Sequence, residues 1–306
     1  MKSKKILVTG GSGLIGKSLK KILPEATFLS SKDYDLTNQN EVNKMFLEHQ
    51  PKVVIHMAAL VGGIIDNINR PYEYFYKNIM MNTLVLEYSH RYKVENFLGI
   101  LSTCIYPDTY NEYPLKEDTL HLGPPTISNF GYGYAKRCLA VQIDTLNKQF
   151  GTNYSYIIPC NLYGPDDKDD EKNSHFVTAL IKKIYLSKKQ KEKSITLYGD
   201  GTPLRQFMLV EDLSKIIKLI IDNNINLNMN IATDETYTID EIANIALEAC
   251  DALDLCIDYD KTKPNGQYRK DVSISKFKSV IPNFKFTNLK DGIKLVYQNY
   301  ILNEKN

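Results

Sequence analysis

Three side chains in this sequence suit a proton-coupled reduction: Ser102, Tyr132 and Lys136. Tyr132 and Lys136 lie four residues apart in Phe130-Gly-Tyr132-Gly-Tyr-Ala-Lys136. On a helix, that spacing projects both from one face. A phenol ordinarily titrates at about pH 10, too high to exchange a proton readily at neutrality. An ammonium beside it favours the phenolate and lowers that value, which would make Tyr132 a usable general acid. Ser102 follows the apolar run Asn96-Phe-Leu-Gly-Ile-Leu101, which reads as a buried strand. A hydroxyl at the carboxyl end of a strand can hydrogen-bond a substrate carbonyl. The set fits a carbonyl that takes a proton from Tyr132 at oxygen while hydride reaches carbon. Tyr-x-x-x-Lys alone also fits a solvated helix face, since the chain holds 21 tyrosines. Its weight depends on whether the chain can hold a hydride donor.

The elements that would position such a donor stand at the start of the chain. Ile6-Leu-Val-Thr9 reads as a strand, followed by Gly10-Gly-Ser-Gly13-Leu14-Ile15-Gly16 and a segment of helical spacing. Glycines at this spacing permit a tight turn, a backbone close to a pyrophosphate, and a helix N-terminus facing it. Gly10, Gly13, Leu14 and Ile15 are therefore candidate dinucleotide contacts; a glycine-rich turn without ligand is the alternative. The second strand, 26–29, ends in Ser30-Ser31-Lys32. Ser31 and Lys32 suit a ribose 2′-phosphate, so NADPH is the expected cofactor; Asp33 holding a free ribose hydroxyl would instead favour NADH. Val53-Val-Ile-His56-Met-Ala58-Ala59 reads as a buried strand running into small residues, with Ala58 close to the cofactor and His56 structural. Val61-Gly-Gly-Ile64 is a flexible loop beside the site, and an amphipathic helix is expected over 72–92. Its Tyr72, Tyr74, Phe75 and Tyr76 read as core or dimer surface.

Composition narrows the class. The 306 residues are 43% hydrophobic and 24% charged, with a net charge of +2, so neither nucleic acid nor an anionic membrane is an expected partner. No apolar run reaches membrane-spanning length, and Met1-Lys-Ser-Lys-Lys5 leads into a strand rather than a signal-peptide core. Cysteines 104, 138, 160, 250 and 256 are odd in number and widely spaced, which fits a reducing, cytoplasmic setting and no metal site.

Several independent motifs carry a family resemblance. Gly10-x-x-Gly13-x-x-Gly16, Ser102 and Tyr132-x-x-x-Lys136 resemble the extended short-chain dehydrogenase/reductase family. More narrowly, the chain resembles the GDP-L-fucose synthases, which are GDP-4-keto-6-deoxymannose 3,5-epimerase/4-reductases. That likeness rests on Ser102-Thr-Cys104-Ile-Tyr-Pro107, Gly123-Pro-Pro125, Ser128-Asn-Phe-Gly-Tyr132, Pro159-Cys-Asn161-Leu162-Tyr-Gly-Pro165, Ser174-His175 and Gly201-Thr-Pro-Leu-Arg205-Gln-Phe207. The resemblance implies a GDP-4-keto sugar substrate, NADPH, and a homodimer joined by helices near 72–92 and 132–150. It implies Cys104 as epimerisation base and His175 as its acid. It also adds Tyr132, Lys136, Asn161, Leu162 and His175 to the cofactor contacts, and gives Asn161, Tyr198, Arg205 and Lys270 to the substrate. The chemistry suits these types, because a C4 ketone acidifies the hydrogens at C3 and C5. By residue type alone, Cys104 also fits a small buried hydrophobe and Arg205 a surface salt bridge.

The expected fold is α/β, a doubly wound parallel sheet of the Rossmann kind with a smaller carboxyl-terminal substrate lobe. The cofactor domain would span 1–162 with a return segment over 206–232, and the lobe mainly 163–306. Charged residues 166–172 read as a solvated loop rather than a metal site, and 188–193 as an exposed Lys-rich loop after a helix ending near Ser187. Reduction without epimerisation, on a related GDP-4-keto sugar such as a heptose, is the nearest alternative. A dinucleotide sensor without catalysis is the alternative from another class; the Ser102, Tyr132, Lys136 set speaks against it.

Overall fold

Short runs of apolar residues, too hydrophobic to border water, make the centre of the molecule. The computed structural model describes residues 5–167, 175–263 and 265–304; residues 168–172 of the charged stretch, Ser174 and Pro264 lie outside them. In chain order the first elements are β1 (Ile6–Thr9), α1 (Leu14–Ile22), β2 (Thr27–Leu29), α2 (Gln39–His49), β3 (Val53–His56), α3 (Ile64–Asn69) and α4 (Pro71–Arg91). There follow β4 (Asn96–Ile100), α5 (Phe130–Phe150), β5 (Tyr154–Pro159), β6 (Asn161–Tyr163), α6 (Phe176–Gln190), β7 (Ser194–Tyr198), β8 (Leu204–Arg205) and β9 (Phe207–Leu209). The chain ends with α7 (Val210–Asp222), β10 (Met229–Ile231), β11 (Tyr237–Thr238), α8 (Ile239–Ala249), β12 (Cys256–Asp260), α9 (Ser275–Val280) and α10 (Leu289–Glu304).

Six strands form one wholly parallel sheet in the order β10-β5-β4-β3-β1-β2. The order reverses between β1 and β3, so a crevice opens at their carboxyl ends, where doubly wound sheets bind ligands. β1, β3 and β5 are buried along their whole length, as strands covered by helices on both faces must be. Three two-stranded pairs, β6 with β9, β7 with β12 and β8 with β11, lie outside this sheet. One apolar cluster gathers around Leu7, Val54, Leu98, Leu139, Ile157 and Ile217. A second gathers around Tyr163, Leu180, Phe207, Ala246 and Ile293. Among the described residues no helix is long and apolar enough to cross a membrane.

Two local expectations change. α6 continues to Gln190, so Lys188 is helical rather than in a loop, and its ammonium bonds the carbonyls of Cys250 and Asp251 at 2.8 and 2.6 Å. No glycine or proline interrupts 187–193, and α6 ends only where Lys191 turns left-handed at φ 57. The aromatics of α4 divide: Tyr74 is buried with its hydroxyl on Asp66 at 2.6 Å, whereas Tyr72 stacks on Tyr76 at the surface.

A buried polar chain ties the sheet to two helices. The Ala58 N–H donates to Thr9 Oγ1 (3.4 Å), which bonds His56 Nδ1 (2.8 Å). His56 Nε2 bonds Asn82 Oδ1 (3.0 Å), and Asn82 Nδ2 donates to the Ala135 carbonyl (3.2 Å). Because Asn82 offers an oxygen, the network assigns the ring proton to Nε2. Burial first, and the nearby Lys136 charge second, hold His56 down to about 3, so it stays neutral and structural. Asn82→Ala strands a buried ring N–H and takes a second bond from the Ala135 carbonyl, which keeps its place in the helix ladder. It should lower the urea-unfolding free energy by about 1–3 kcal/mol, the usual cost of leaving such a group unpaired.

Candidate active site

The turn after β1 is built around what a side chain would strike. Gly10 has φ +77, and a Cβ there would lie 2.8 Å from the Ala58 nitrogen, so the Ala58 backbone rests against the turn. A Cβ on Gly16 would sit 2.6 Å from the Gly10 carbonyl and the Gly11 backbone. Gly13 is the N-cap of α1 and offers no side chain to cap the helix's first N–H groups. Such a terminus, with its positive dipole end open, suits a phosphate. A Cβ on Gly164 would come within 3.4 Å of Leu14, which places Leu14 beside the loop after β6. At the end of β2, Ser31 and Lys32 are exposed. Asp33 turns back on its own loop instead, taking the Ser30 N–H at 2.7 Å and the Ser30 hydroxyl at 2.8 Å.

β4 delivers Ser102 to the same edge. Its oxygen takes the Cys104 N–H at 3.3 Å, capping a single 3₁₀ turn, Thr103–Ile105. The Ser102 hydroxyl also lies near enough to the Tyr132 phenol and the Cys104 thiol to lower the pKa of each. α5 carries Tyr132 and Lys136 one turn apart. The expectation that Lys136 lowers the Tyr132 pKa does not hold. Burial and then the Cys104 charge push the phenol well above its usual value, against the bond from Ser102. Lys136, 1% exposed, gives its ammonium to the Ile100 carbonyl at 2.9 Å, and burial brings it down to about 8. The phenol is thus kept protonated, which supplies the proton but does not make the phenol the stronger acid that ready transfer at neutrality calls for.

Cys104 sits in a cluster of donors. Its sulfur receives the Lys270 ammonium at 3.0 Å and the Asn129 amide at 3.2 Å. Burial alone would raise its pKa, but the Lys270 charge and hydrogen bond, with Ser102 and Asn129, bring it to about 7. Asn129 lies within the Ser128–Tyr132 motif, but the residue type alone assigns it no role, because an asparagine before a helix is ordinary. Its Oδ1 is buried without a partner among the described residues, beside the thiol its amide contacts. The resemblance gives Lys270 to the substrate; in the structure its ammonium lies on Cys104.

Among the described residues no carboxylate forms a salt bridge with Arg205. It bonds the carbonyls of Leu204 (2.8 Å), Gln267 (2.5 Å) and Tyr268 (3.5 Å), and burial lowers its pKa while the Cys104 charge opposes that. Asn161, on β6, donates to the Gln206 carbonyl at 3.2 Å, and Leu162 beside it is buried. Tyr198 is 69% exposed at the end of β7, with Lys263 6.0 Å from its ring centre. His175 caps α6 and is exposed; its Nδ1 lies 3.0 Å from both Asp167 carboxylate oxygens, while its backbone N–H bonds the same group. Among the described residues, Ser102, Cys104, Asn129, Tyr132 and Lys270 thus form one connected cluster, to which no bond from His175 or Tyr198 leads. No group of three metal-ligating side chains occurs among the described residues.

Known proteins resemble the chain along its whole length. Residues 6–232 match the profile of the NAD dependent epimerase/dehydratase family. A probable GDP-L-fucose synthase of Drosophila melanogaster is 35% identical, with 98% of each chain covered. A GDP-L-fucose synthetase from Naegleria fowleri, solved bound to NADP, superposes with a TM-score of 0.90 at 30% identity, covering 100% of this chain and 95% of that one. A GDP-6-OMe-4-keto-L-xylo-heptose reductase from C. jejuni superposes with a TM-score of 0.89 at 25% identity, with 98% of each covered.

Proposed function

The chain belongs to the NAD dependent epimerase/dehydratase family, and from that premise we propose that it uses NADPH to reduce the C4 ketone of a GDP-4-keto sugar, after epimerising C3 and C5. One observation carries the reading: Ser102, on the Cys104 N–H at 3.3 Å, lies close enough to the Tyr132 phenol and the Cys104 thiol to lower the pKa of both, so a proton donor and a base converge on one point of the crevice. The glycine turn fits a dinucleotide. Gly10, Gly13, Leu14 and Ile15 would hold its pyrophosphate, Ser31 and Lys32 its 2′-phosphate, and Ala58, Asn161, Leu162 and His175 the remainder. NADPH supplies the hydride when bound.

The chain's own residues do the rest. Cys104 removes a proton beside the ketone, and His175 returns one to the opposite face. Asp167 accepts from His175 Nδ1–H, which leaves Nε2 as the atom that takes up and releases a proton. Tyr132 then protonates the C4 oxygen, with Ser102 hydrogen-bonded to the same atom and Lys136 supplying positive charge below. Arg205, Asn161 and Tyr198 take the guanosine diphosphate; a guanidinium matches diphosphate oxygens bidentately. The cofactor belongs to residues 1–162 with the return segment 206–232, and the sugar nucleotide to 163–306. The setting is cytoplasmic, in keeping with five free cysteines. Two copies would join through α4 and α5, where Tyr72, Tyr76 and Phe130 are exposed.

Incubation with GDP-4-keto-6-deoxymannose and NADPH in deuterated water tests both halves: absorbance loss reports reduction, and deuterium at C3 and C5 reports epimerisation. Absorbance loss without deuterium would favour a second reading, reduction alone, which is supported by the likeness to the C. jejuni reductase and by the bond of His175 to Asp167 rather than to the Cys104 cluster. Cofactor choice has its own test. Lys32→Ala removes an exposed cation from the 2′-phosphate and should raise KM for NADPH about tenfold, leaving KM for NADH unchanged. Equal changes in both would remove Lys32 from the site.

A further inference from the structure

We propose that Lys270 holds Cys104 as a standing thiolate, a positioning role for the C3/C5 base that rests on the function proposed above and separates Lys270 from the nucleotide phosphates. Geometry is the ground. The Lys270 ammonium lies 3.0 Å from the Cys104 sulfur, and among the described residues no carboxylate pairs with it. A half-buried ammonium left without a counter-ion is costly, so the anion is best supplied by the thiol itself. The neighbouring cation does not compete, because Arg269 is committed to Asp271 at 2.6 Å and lies over the Tyr113 ring.

The segment bearing Lys270 is fixed from both sides. Gln267 donates to the carbonyls of Asp108 (2.9 Å) and Pro107 (3.3 Å) on one side, while Leu204 bridges Arg269 on the other. Further on, the Leu115 N–H donates to the Asp271 carbonyl at 2.9 Å. The ammonium is therefore delivered to the sulfur by a segment held through the Gln267 side-chain amide and through backbone bonds on either side of Lys270. Every group facing the sulfur favours charge or is neutral. Asn129 and Ser102 donate, Arg205 acts through its field, and Tyr132 stays protonated. In contrast, burial with no such donor set pushes Cys160 and Cys250 up to about 12. A thiolate present before substrate arrives can take a carbon-bound proton without first losing its own.

The free enzyme provides the test. Iodoacetamide labelling of Cys104, followed by peptide mass spectrometry against pH, reports its ionisation without any sugar nucleotide. The expected midpoint is about 7 in the native chain and at or above the ordinary 9.0 in Lys270→Met. At pH 7 the labelling rate should then fall about five- to tenfold, because the rarer thiolate is also the more nucleophilic one. Lys270→Arg should restore the low midpoint, and Asn129→Ala, which removes a neutral donor, should move it less than Lys270→Met does. Retained NADPH binding verifies that each variant is folded. An unmoved midpoint in Lys270→Met, or an equal movement in Asn129→Ala, overturns the proposal. Because labelling needs no turnover, a chain that fails to bring deuterium into C3 or C5 would lose the epimerase reading while the Lys270 assignment stood.

Discussion

Tyr132→Phe should slow NADPH oxidation on a GDP-4-keto sugar by about 10²–10⁴-fold, the usual contribution of a positioned proton donor. The phenol is kept protonated and, in the proposed reaction, stands at the oxygen where reduction ends. Burial and the adjoining Cys104 charge raise its pKa, so a proton is available across the whole working range. Loss of the hydroxyl leaves Ser102 as a hydrogen-bond donor to the developing alkoxide, but Ser102 has no ready route to resupply a proton. Phe keeps the ring and its packing, so NADPH affinity, read by fluorescence titration, should stay near the native value. The more telling expectation is what survives. Cys104, Lys270 and Asn129 are untouched, so deuterium should still enter C3 and C5 of the ketone at a rate close to native. Near-normal NADPH oxidation in this variant would mean that another group delivers the proton. Loss of exchange together with reduction would mean that the two chemistries do not use separate groups.

The parts of this site that could be read from the chain are those where a steric or spacing rule is written in the residue itself. Gly10 and Gly16 are legible because the missing Cβ is the requirement: any side chain there meets backbone within 3 Å. Tyr132 and Lys136 are legible because a helix fixes which residues share a face. What the Lys136 ammonium touches is another matter. Its partner, the Ile100 carbonyl, is chosen by how α5 packs on β4, and no local pattern encodes that. The same holds for Lys270, which lies 166 positions from Cys104 and reaches it only because Gln267 is pinned to Asp108 and Pro107. Asn129 stands in the Ser128–Tyr132 motif, yet its part beside the thiol is hidden for a plainer reason, since its type is common in loops. The doubly wound sheet was foreseeable from the βα rhythm of the first third. The length of α6 was not, because the lysines after Ser187 carry no stop signal.

Lys136→Met should separate catalysis from stability. Activity should fall about 10²-fold or more, the scale of removing one preorganised charge from an oxyanion site. Stability should move the other way at neutral pH. Burial brings the Lys136 ammonium from 10.5 down to about 8. At about 1.4 kcal/mol per unit, holding that charge inside costs the folded state about 3 kcal/mol at pH 7. Against this, the variant forfeits the bond to the Ile100 carbonyl, worth about 1–3 kcal/mol once the oxygen is left unpaired. At pH 7 the variant should therefore unfold in urea no more easily than the native chain, and up to about 2 kcal/mol less easily. Between the folded value near 8 and the unfolded value of 10.5, the unfolded chain binds the extra proton. Native stability relative to the variant therefore rises with pH through that window. At pH 10 the buried amine is neutral, most of its cost has gone, and the hydrogen bond leaves the native chain ahead. The difference between the two proteins isolates Lys136 from the cysteines and tyrosines that titrate in the same range. A variant weaker by the same margin at pH 7 and pH 10 would show that the buried ammonium carries no desolvation cost. Lys136 would then be as much a structural cation as a catalytic one.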